Sequence, residues 1–212
     1  MKWNDMKRFA ICMMALLGVC VFTACDSENG RGDVIWDIAP VQFDIFITDD
    51  QGHDLLDSTY QGNLIKDISA TYQGEEYPLI TEDDYFEKIY GAAKTRMYMP
   101  QFYGLMLRPY WNHRTFTYDC FKIIFGEFDG MENVDKREIT LRLPDNQTLR
   151  LAYSNSFRWK SNGDPDKNTV FYLNDQELDD DAGRCGYFHF RLNGKGVYEY
   201  VPTDIYQLKP ND

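Results

Sequence analysis

The groups in this 212-residue sequence that could do covalent, metal or acid–base chemistry are five cysteines, three histidines and several acidic clusters. His53, His113 and His189 have neither each other nor a cysteine at the spacing of a zinc site. There is no Gly-x-Ser-x-Gly elbow, phosphate loop or dinucleotide fingerprint. A Cys–His nucleophile would have to use Cys120 or Cys185, and neither stands in a protease signature. Glu127 and Asp129 flank Phe128 at a strand end and are the pair a glycosidase would need across a cleft. Their plainer reading is a solvated strand end running into Asp129-Gly130. Glu177, Asp179, Asp180 and Asp181 put four carboxylates in five residues, the oxygen-rich kind of loop that calcium takes. Asp164 with Asp166, and Asp49, Asp50 and Asp54 around Gly52, are similar. None has EF-hand spacing, and the plainer reading of each is a solvated charge run. No cofactor other than calcium is implied.

Aromatic residues are the other lead, at 16% of the chain. Tyr98, Phe102, Tyr103, Tyr110, Trp111, Phe116 and Tyr118 crowd one 21-residue stretch. Within it Tyr110, Trp111, Asn112, His113 and Arg114 combine flat apolar faces with amide, imidazole and guanidinium donors. That is the make-up of a glycan- or peptide-binding surface. The alternative is a set of core aromatics on β-strands. An exposed Tyr110–Trp111 pair would indicate binding, and burial of both would indicate core.

The elements that must position these groups begin with a processing signal. Lys2, Lys7 and Arg8 precede an uncharged run from Phe9 to Ala24. Sixteen residues give roughly 24 Å of helix, short of a hydrocarbon core of about 30 Å. Residues 1–24 therefore read as a secretory signal peptide. Phe22-Thr23-Ala24-Cys25 resembles the bacterial lipobox, with Phe22 where Leu is usual. That resemblance implies acylation of Cys25 and an outer-membrane lipoprotein, its partner the membrane that holds the lipid and its membrane face open. An ordinary signal peptide with an incidental cysteine, or an uncleaved anchor, are the alternatives. Cleavage would leave 188 residues and take the net charge from −12 to −14, since three bases and one acid leave. Cys12 and Cys20 leave too. Cys120 and Cys185 remain as an even pair, either a disulfide in an oxidising envelope or two buried free thiols.

The acidity, 34 Asp+Glu against 22 Lys+Arg, argues against nucleic acid, which needs clustered bases that displace counterions. Residues 25–40 read as the acylated cysteine and a flexible tether. Arg31-Gly32-Asp33 within it spells an adhesion tripeptide, as any chain of this length can by chance. Asp57-Ser58-Thr59 resembles a short O-glycosylation acceptor and points to an exposed loop.

Beyond Pro40 the period is two. Val41, Phe43, Ile45 and Ile47 alternate with polar residues, and Asp49-Asp50-Gln51-Gly52 turns. Ile68, Ala70 and Tyr72 meet Gln73-Gly74 and resume at Tyr77 and Leu79, a hairpin. Ile139, Leu141 and Leu143 turn through Pro144-Asp145-Asn146-Gln147 and return as Leu149, Leu151 and Tyr153. Further strands are expected at 104–108, 120–128, 170–173, 187–192 and 198–201, with 120–128 apolar on both faces and central. One short helix is expected from Thr81 to about Ala93. The fold class is mainly β: an antiparallel β-sandwich over residues 41–212, Ig-like, with one short helix.

The segments WDIAPVQFDIFITDDQGHDLLD, FYGLMLR, FGEFDG and FRWKSNGDPD resemble uncharacterised Bacteroidetes envelope lipoproteins, in which a β-sandwich follows a lipobox and a short tether. The resemblance spans most of residues 36–175, with Trp36, Asp49, Gly52, Gly104, Glu127 and Trp159 at matching positions. It implies localisation and fold and carries no catalytic residues. The first functional expectation is a lipid-anchored binding or accessory module for glycan, peptide or an envelope protein. The alternative is a structural envelope or fimbria-associated subunit that pairs through an edge strand. A hydrolase is the third reading, and an enzymatic role is not expected.

Overall fold

The computed structural model describes residues 38–81, 104–202 and 208. The signal segment, Cys25, the tether with Arg31-Gly32-Asp33, Trp36, Tyr98, Phe102, Tyr103 and all but Thr81 of the expected 81–93 helix lie outside the described residues.

Two sheets face each other. The first carries β1 (Val41–Asp49), β4 (Leu105–Asn112), β5 (Thr117–Phe128), β10 (Tyr187–Leu192) and β11 (Tyr198–Tyr200), in the order β11-β10-β1-β5-β4. The second carries β2 (Ser69–Tyr72), β3 (Glu75–Pro78), β6 (Val134–Arg142), β7 (Thr148–Trp159), β8 (Pro165–Leu173) and β9 (Gln176–Glu177), in the order β3-β2-β6-β7-β8-β9. The result is a mainly antiparallel β-sandwich. The exception is β1, which pairs antiparallel with β5 but parallel with β10. One four-residue helix, α1 (Asp181–Arg184), is described.

Alternation builds the core. Phe43, Ile45 and Ile47 of β1, Ile123 and Phe125 of β5, and Phe188 and Phe190 of β10 face Ile139 and Leu141 of β6, Leu151 and Tyr153 of β7 and Phe171 of β8. The opposite face of β1 is buried as well. Phe46 packs there with Tyr110 and Cys120, against Tyr187 and Leu208. Asp44 shares that face, accepting from Lys122 Nζ at 2.8 Å and Gln42 Nε2 at 2.9 Å. Burial pushes its carboxyl above the usual range, and the lysine pulls it part of the way back.

Turn chemistry fixes the registers. Gln73 (φ 51°) and Gly74 (φ 84°) give β2–β3 a two-residue turn with both residues left-handed. Gly186 (φ 78°) joins α1 to β10 where a Cβ would lie 2.7 Å from Phe171 Cζ and 2.9 Å from the Gln42 carbonyl. Only glycine fits that passage.

The sandwich has two distinct ends. The β4–β5 and β10–β11 turns lie beyond Asp49, and Gln147 Nε2 donates to the Gly196 carbonyl at 2.6 Å, which brings the β6–β7 turn to the same end. This is the distal end. At the proximal end, where the described chain begins, Lys167 Nζ donates to the Ala39 carbonyl at 2.8 Å. Asn155 Nδ2 ties β7 to the β5–β6 turn there, through the carbonyls of Gly130 and Glu132.

Asp180 latches α1. Its carboxylate caps the helix by accepting from Gly183 N at 2.9 Å, and it also accepts the Tyr200 hydroxyl at 2.8 Å. Burial, and then that carboxylate, push the Tyr200 phenol above its usual range. Asp180→Ala should lower the unfolding free energy by about 1–2 kcal/mol. A urea midpoint that stays within error of the parent would show that the latch contributes nothing.

Candidate functional site

The most exposed aromatic surface lies on the distal β4–β5 turn. Strand geometry sends successive side chains to opposite faces, so Tyr110 and Trp111 part company. Tyr110 is buried against Phe46 in a T-shaped contact at 5.4 Å, whereas Trp111 is 37% exposed. The register shifts just there: Tyr110 pairs with Cys120 but Trp111 with Tyr118, which leaves Asp119 as the extra residue of a bulge. Tyr118 is 63% exposed and Phe116 72%. The Trp111 and Tyr118 rings meet edge to face at 4.9 Å. Of the expected surface of Tyr110, Trp111, Asn112, His113 and Arg114, the structure exposes Trp111, His113 and Arg114 and buries Tyr110 and Asn112.

The buried members hold the exposed ones in place. Asn112 Nδ2 donates to Asp119 at 2.5 Å, while its Oδ1 accepts the Arg114 N–H at 2.9 Å and its carbonyl accepts Phe116 N at 2.8 Å. The Asp119 carboxylate also accepts the hydroxyls of Thr117 and Thr115. Those donors, Thr117 first, hold it below the usual carboxylate range. Phe116 has φ 59°, a conformation that a bulky residue adopts only under strain. The turn thus presents three aromatic faces, with His113 and Arg114 beside them, on a cross-braced base. Such faces stack on the apolar side of a sugar ring or on peptide side chains.

The cysteines are not bridged: Cys120 is a buried free thiol and Cys185 an exposed one. The β1 registers give the reason. Continued along the strands, they set Cys120 level with Thr48 and Cys185 level with Gln42. Six residues of strand are roughly 20 Å, against at most about 7 Å between bridged Cα atoms. Burial pushes the Cys120 thiol far above its usual range, and the Asp54 and Asp119 charges add to this. Cys185 instead borders a groove of about 350 Å³ at the proximal end, lined by Gln42, Lys167, Thr169, Arg184 and Tyr187 among others.

The four clustered carboxylates take separate tasks. Glu177 lies on β9, Asp180 caps α1, Asp181 stands 3.8 Å from Arg184 of the same helix, and Asp179 is exposed on the connecting loop. Among the described residues no three His, Cys, Asp or Glu side chains are grouped to hold a metal ion. Glu127 (φ 78°) is the extra residue where the β1–β5 register shifts, and Asp129 Oδ1 accepts the Met131 N–H in the following turn. His53 pairs with Asp49 at 2.7 Å and stacks on Tyr60. Ser58 and Thr59 are exposed, and Thr59 N and Oγ1 both donate to Asp57.

Sequence reasoning missed two features. One is a buried polar group around Thr48, whose hydroxyl lies 2.8 Å from His189 Nε2 and whose backbone bridges to Asp54. The other is a second aromatic pair, Phe157 and Trp159, at the proximal end of β7, with ring centroids 5.2 Å apart. Its signal was present, because Phe157 and Trp159 continue the step of two from Leu151 and Tyr153 through polar Asn155. No family model, curated protein or solved structure matches the chain.

Proposed function

We propose that the protein is a lipid-anchored cell-envelope binding module whose distal β4–β5 turn takes a glycan. Anchoring rests on Cys25 and its resemblance to a lipobox, with the outer membrane as the implied site. Palmitate should label the protein, and Cys25→Ala should abolish that label. Labelling that persists in the variant removes the anchor. The Ig-like reading rests on the two-sheet build; the run β6-β7-β8-β9 along one sheet is not part of the Ig strand order.

The observation that carries the binding role is Phe116, a large exposed ring kept at a left-handed position that glycine would fill without strain. Phe116→Gly should therefore raise stability by about 0.5–1 kcal/mol while weakening ligand binding. Trp111→Ala should weaken binding at least tenfold and change stability by less than about 1 kcal/mol. Glycan and peptide arrays probed with the chain from residue 26 onward supply the ligand. Binding that survives both substitutions overturns the assignment of this turn, and capture of peptides alone changes the ligand class.

One observation favours the structural-subunit reading. Within the described residues β9 pairs only with Tyr172 and Leu173, so Pro165 to Val170 of β8 form the margin of the second sheet. Pro165 and Lys167 on that margin are residues that discourage strand addition. Concentration-dependent polymerisation of the purified protein would restore this reading.

A further inference from the structure

We propose that the proximal end of the β7–β8 hairpin rests on the bilayer, with Trp159 and Phe157 at the level of the lipid headgroups. This inference rests on the lipid-anchor reading above and adds a second, non-covalent contact with the same membrane.

The hairpin outruns its own sheet. Among the described residues β6 pairs with β7 only as far as Asn155, while β7 and β8 stay paired out to Trp159 and Pro165. Residues 156–159 and 165–168 therefore run on as a two-stranded hairpin, with Asn133 Oδ1 accepting the Phe157 N–H at 2.7 Å and the tip beyond it an overhang. Alternation from Leu151 and Tyr153 puts Phe157 and Trp159 on the inward face of β7, past the end of the core. Trp159 stays 52% exposed there, beside Phe157.

The overhang stands where the chain leaves for its anchor. Phe157 is register partner to Lys167, and Lys167 Nζ holds the Ala39 carbonyl. Twelve residues separate Cys25 from Ile38, thirteen Cα steps and a span of at most about 45 Å. The tether thus joins the fold at the proximal end, about 30 Å along a nine-residue strand from the distal turn.

The chemistry suits an interface. Tryptophan combines a large apolar face with one N–H donor and concentrates at membrane–water boundaries. Arg158, Lys160 and Lys167 outnumber Asp164 and Asp166 on this hairpin by one, with the Asp129 charge of the β5–β6 turn acting on Lys167. Arg158 and Lys160 lie 2.7 and 3.9 Å from Asp166, which holds Arg158 at the tip on the face opposite Trp159. Their aliphatic stems can lie along lipid while the charges meet phosphate.

The test keeps the tether and removes any dependence on cellular acylation. The chain from Cys25 onward, carrying Cys185→Ser, is coupled through Cys25 to a maleimide lipid in phosphatidylethanolamine–phosphatidylglycerol vesicles. Trp36→Phe with Trp111→Phe leaves Trp159 as the single tryptophan; Trp36→Phe with Trp159→Phe leaves Trp111. Lipids brominated near the headgroup should quench Trp159 severalfold and shift its emission to the blue, with Trp111 unchanged. Equal quenching of the two, or none of Trp159, overturns the bilayer contact. Failure of palmitate to label the native protein would instead remove the anchor reading, a separate result from a separate measurement.

Discussion

Phe43→Ala should lower the unfolding free energy by about 3–5 kcal/mol, the largest loss expected from any single substitution in the core. The Phe43 ring is fully buried and lies edge-on or tilted to four others. Phe128 and Phe188 belong to its own sheet, at centroid distances of 6.5 and 5.7 Å. Tyr153 and Phe171 come from the opposite sheet, both at 5.9 Å. Removing the ring therefore loses contacts within one layer and between the two. Collapse into the space is opposed because the neighbouring rings also hold each other, Tyr153 with Phe128 at 5.4 Å and Phe171 with Phe188 at 6.0 Å. Phe43→Leu keeps most of the volume and should cost about 1–2 kcal/mol. Urea unfolding of the parent and both variants measures the series. A loss under about 1 kcal/mol for the alanine variant would mean that the two sheets are not closely packed at Phe43. With domain stabilities of roughly 5–15 kcal/mol, the predicted loss is a third or more of the total for most of that range.

Local alternation and turn chemistry made much of this fold readable, and long-range pairing was where reading stopped. Ile139, Leu141 and Leu143, the Pro144–Asn146 turn and Leu149, Leu151 and Tyr153 emerge as β6 and β7 because each signal lies within a few residues of the next. Tyr187–Leu192 emerges with the bounds its alternation implies. The parallel contact of β1 with β10 joins Asp44 to Tyr187, and no short-range pattern encodes it. That same contact separates the two cysteines, so the bridge that an even count left open is not made. Helix α1, at four residues, is too short for any period to show.

The candidate site was legible in composition but not in geometry. The cluster of aromatics marked the turn that carries exposed rings, yet Tyr110 and Trp111 were expected to share a surface. Adjacent strand residues cannot do so. The partner that Trp111 does meet is Tyr118, seven residues on, and that depends on the bulge at Asp119. Asn112 and Asp119 read as polar turn residues, while the structure buries both to brace the turn. The two aromatic outcrops also lie at opposite ends of the sandwich. The glycan site and the bilayer contact proposed above would therefore not compete for space.

The second large effect is a pair of opposed pH dependences on either side of Thr48. His189 is buried, with Nε2 beside the Thr48 hydroxyl and Nδ1 without a hydrogen-bond partner among the described residues. Burial, and then the Arg191 charge, lower its pKa from 6.5 to about 4. The unfolded chain then binds a proton that the folded one refuses, so stability is complete above pH 6.5 and is lost as pH falls toward 4. At about 1.4 kcal/mol per unit the loss reaches roughly 3 kcal/mol. Asp54 runs the other way. Burial raises its pKa from 3.8 to about 6, despite the N–H donors of Phe121 at 2.6 Å and Leu56 at 2.8 Å, with Asp57 adding a small push upward. Its folded form takes up a proton first, so stability rises by roughly 3 kcal/mol as pH falls from 6 toward 3.8. Between pH 6 and 4 the two nearly cancel in the parent protein. His189→Gln should expose the Asp54 trend, its stability relative to the parent climbing on acidification. Asp54→Asn should expose the histidine trend, with relative stability falling over the same window. Either substitution also carries a fixed structural cost, so the readout is the slope of urea-derived stability against pH, from which that cost and all shared titrations drop out. Three parallel curves would refute both assignments, whereas slopes of opposite sign on either side of the parent identify the two groups.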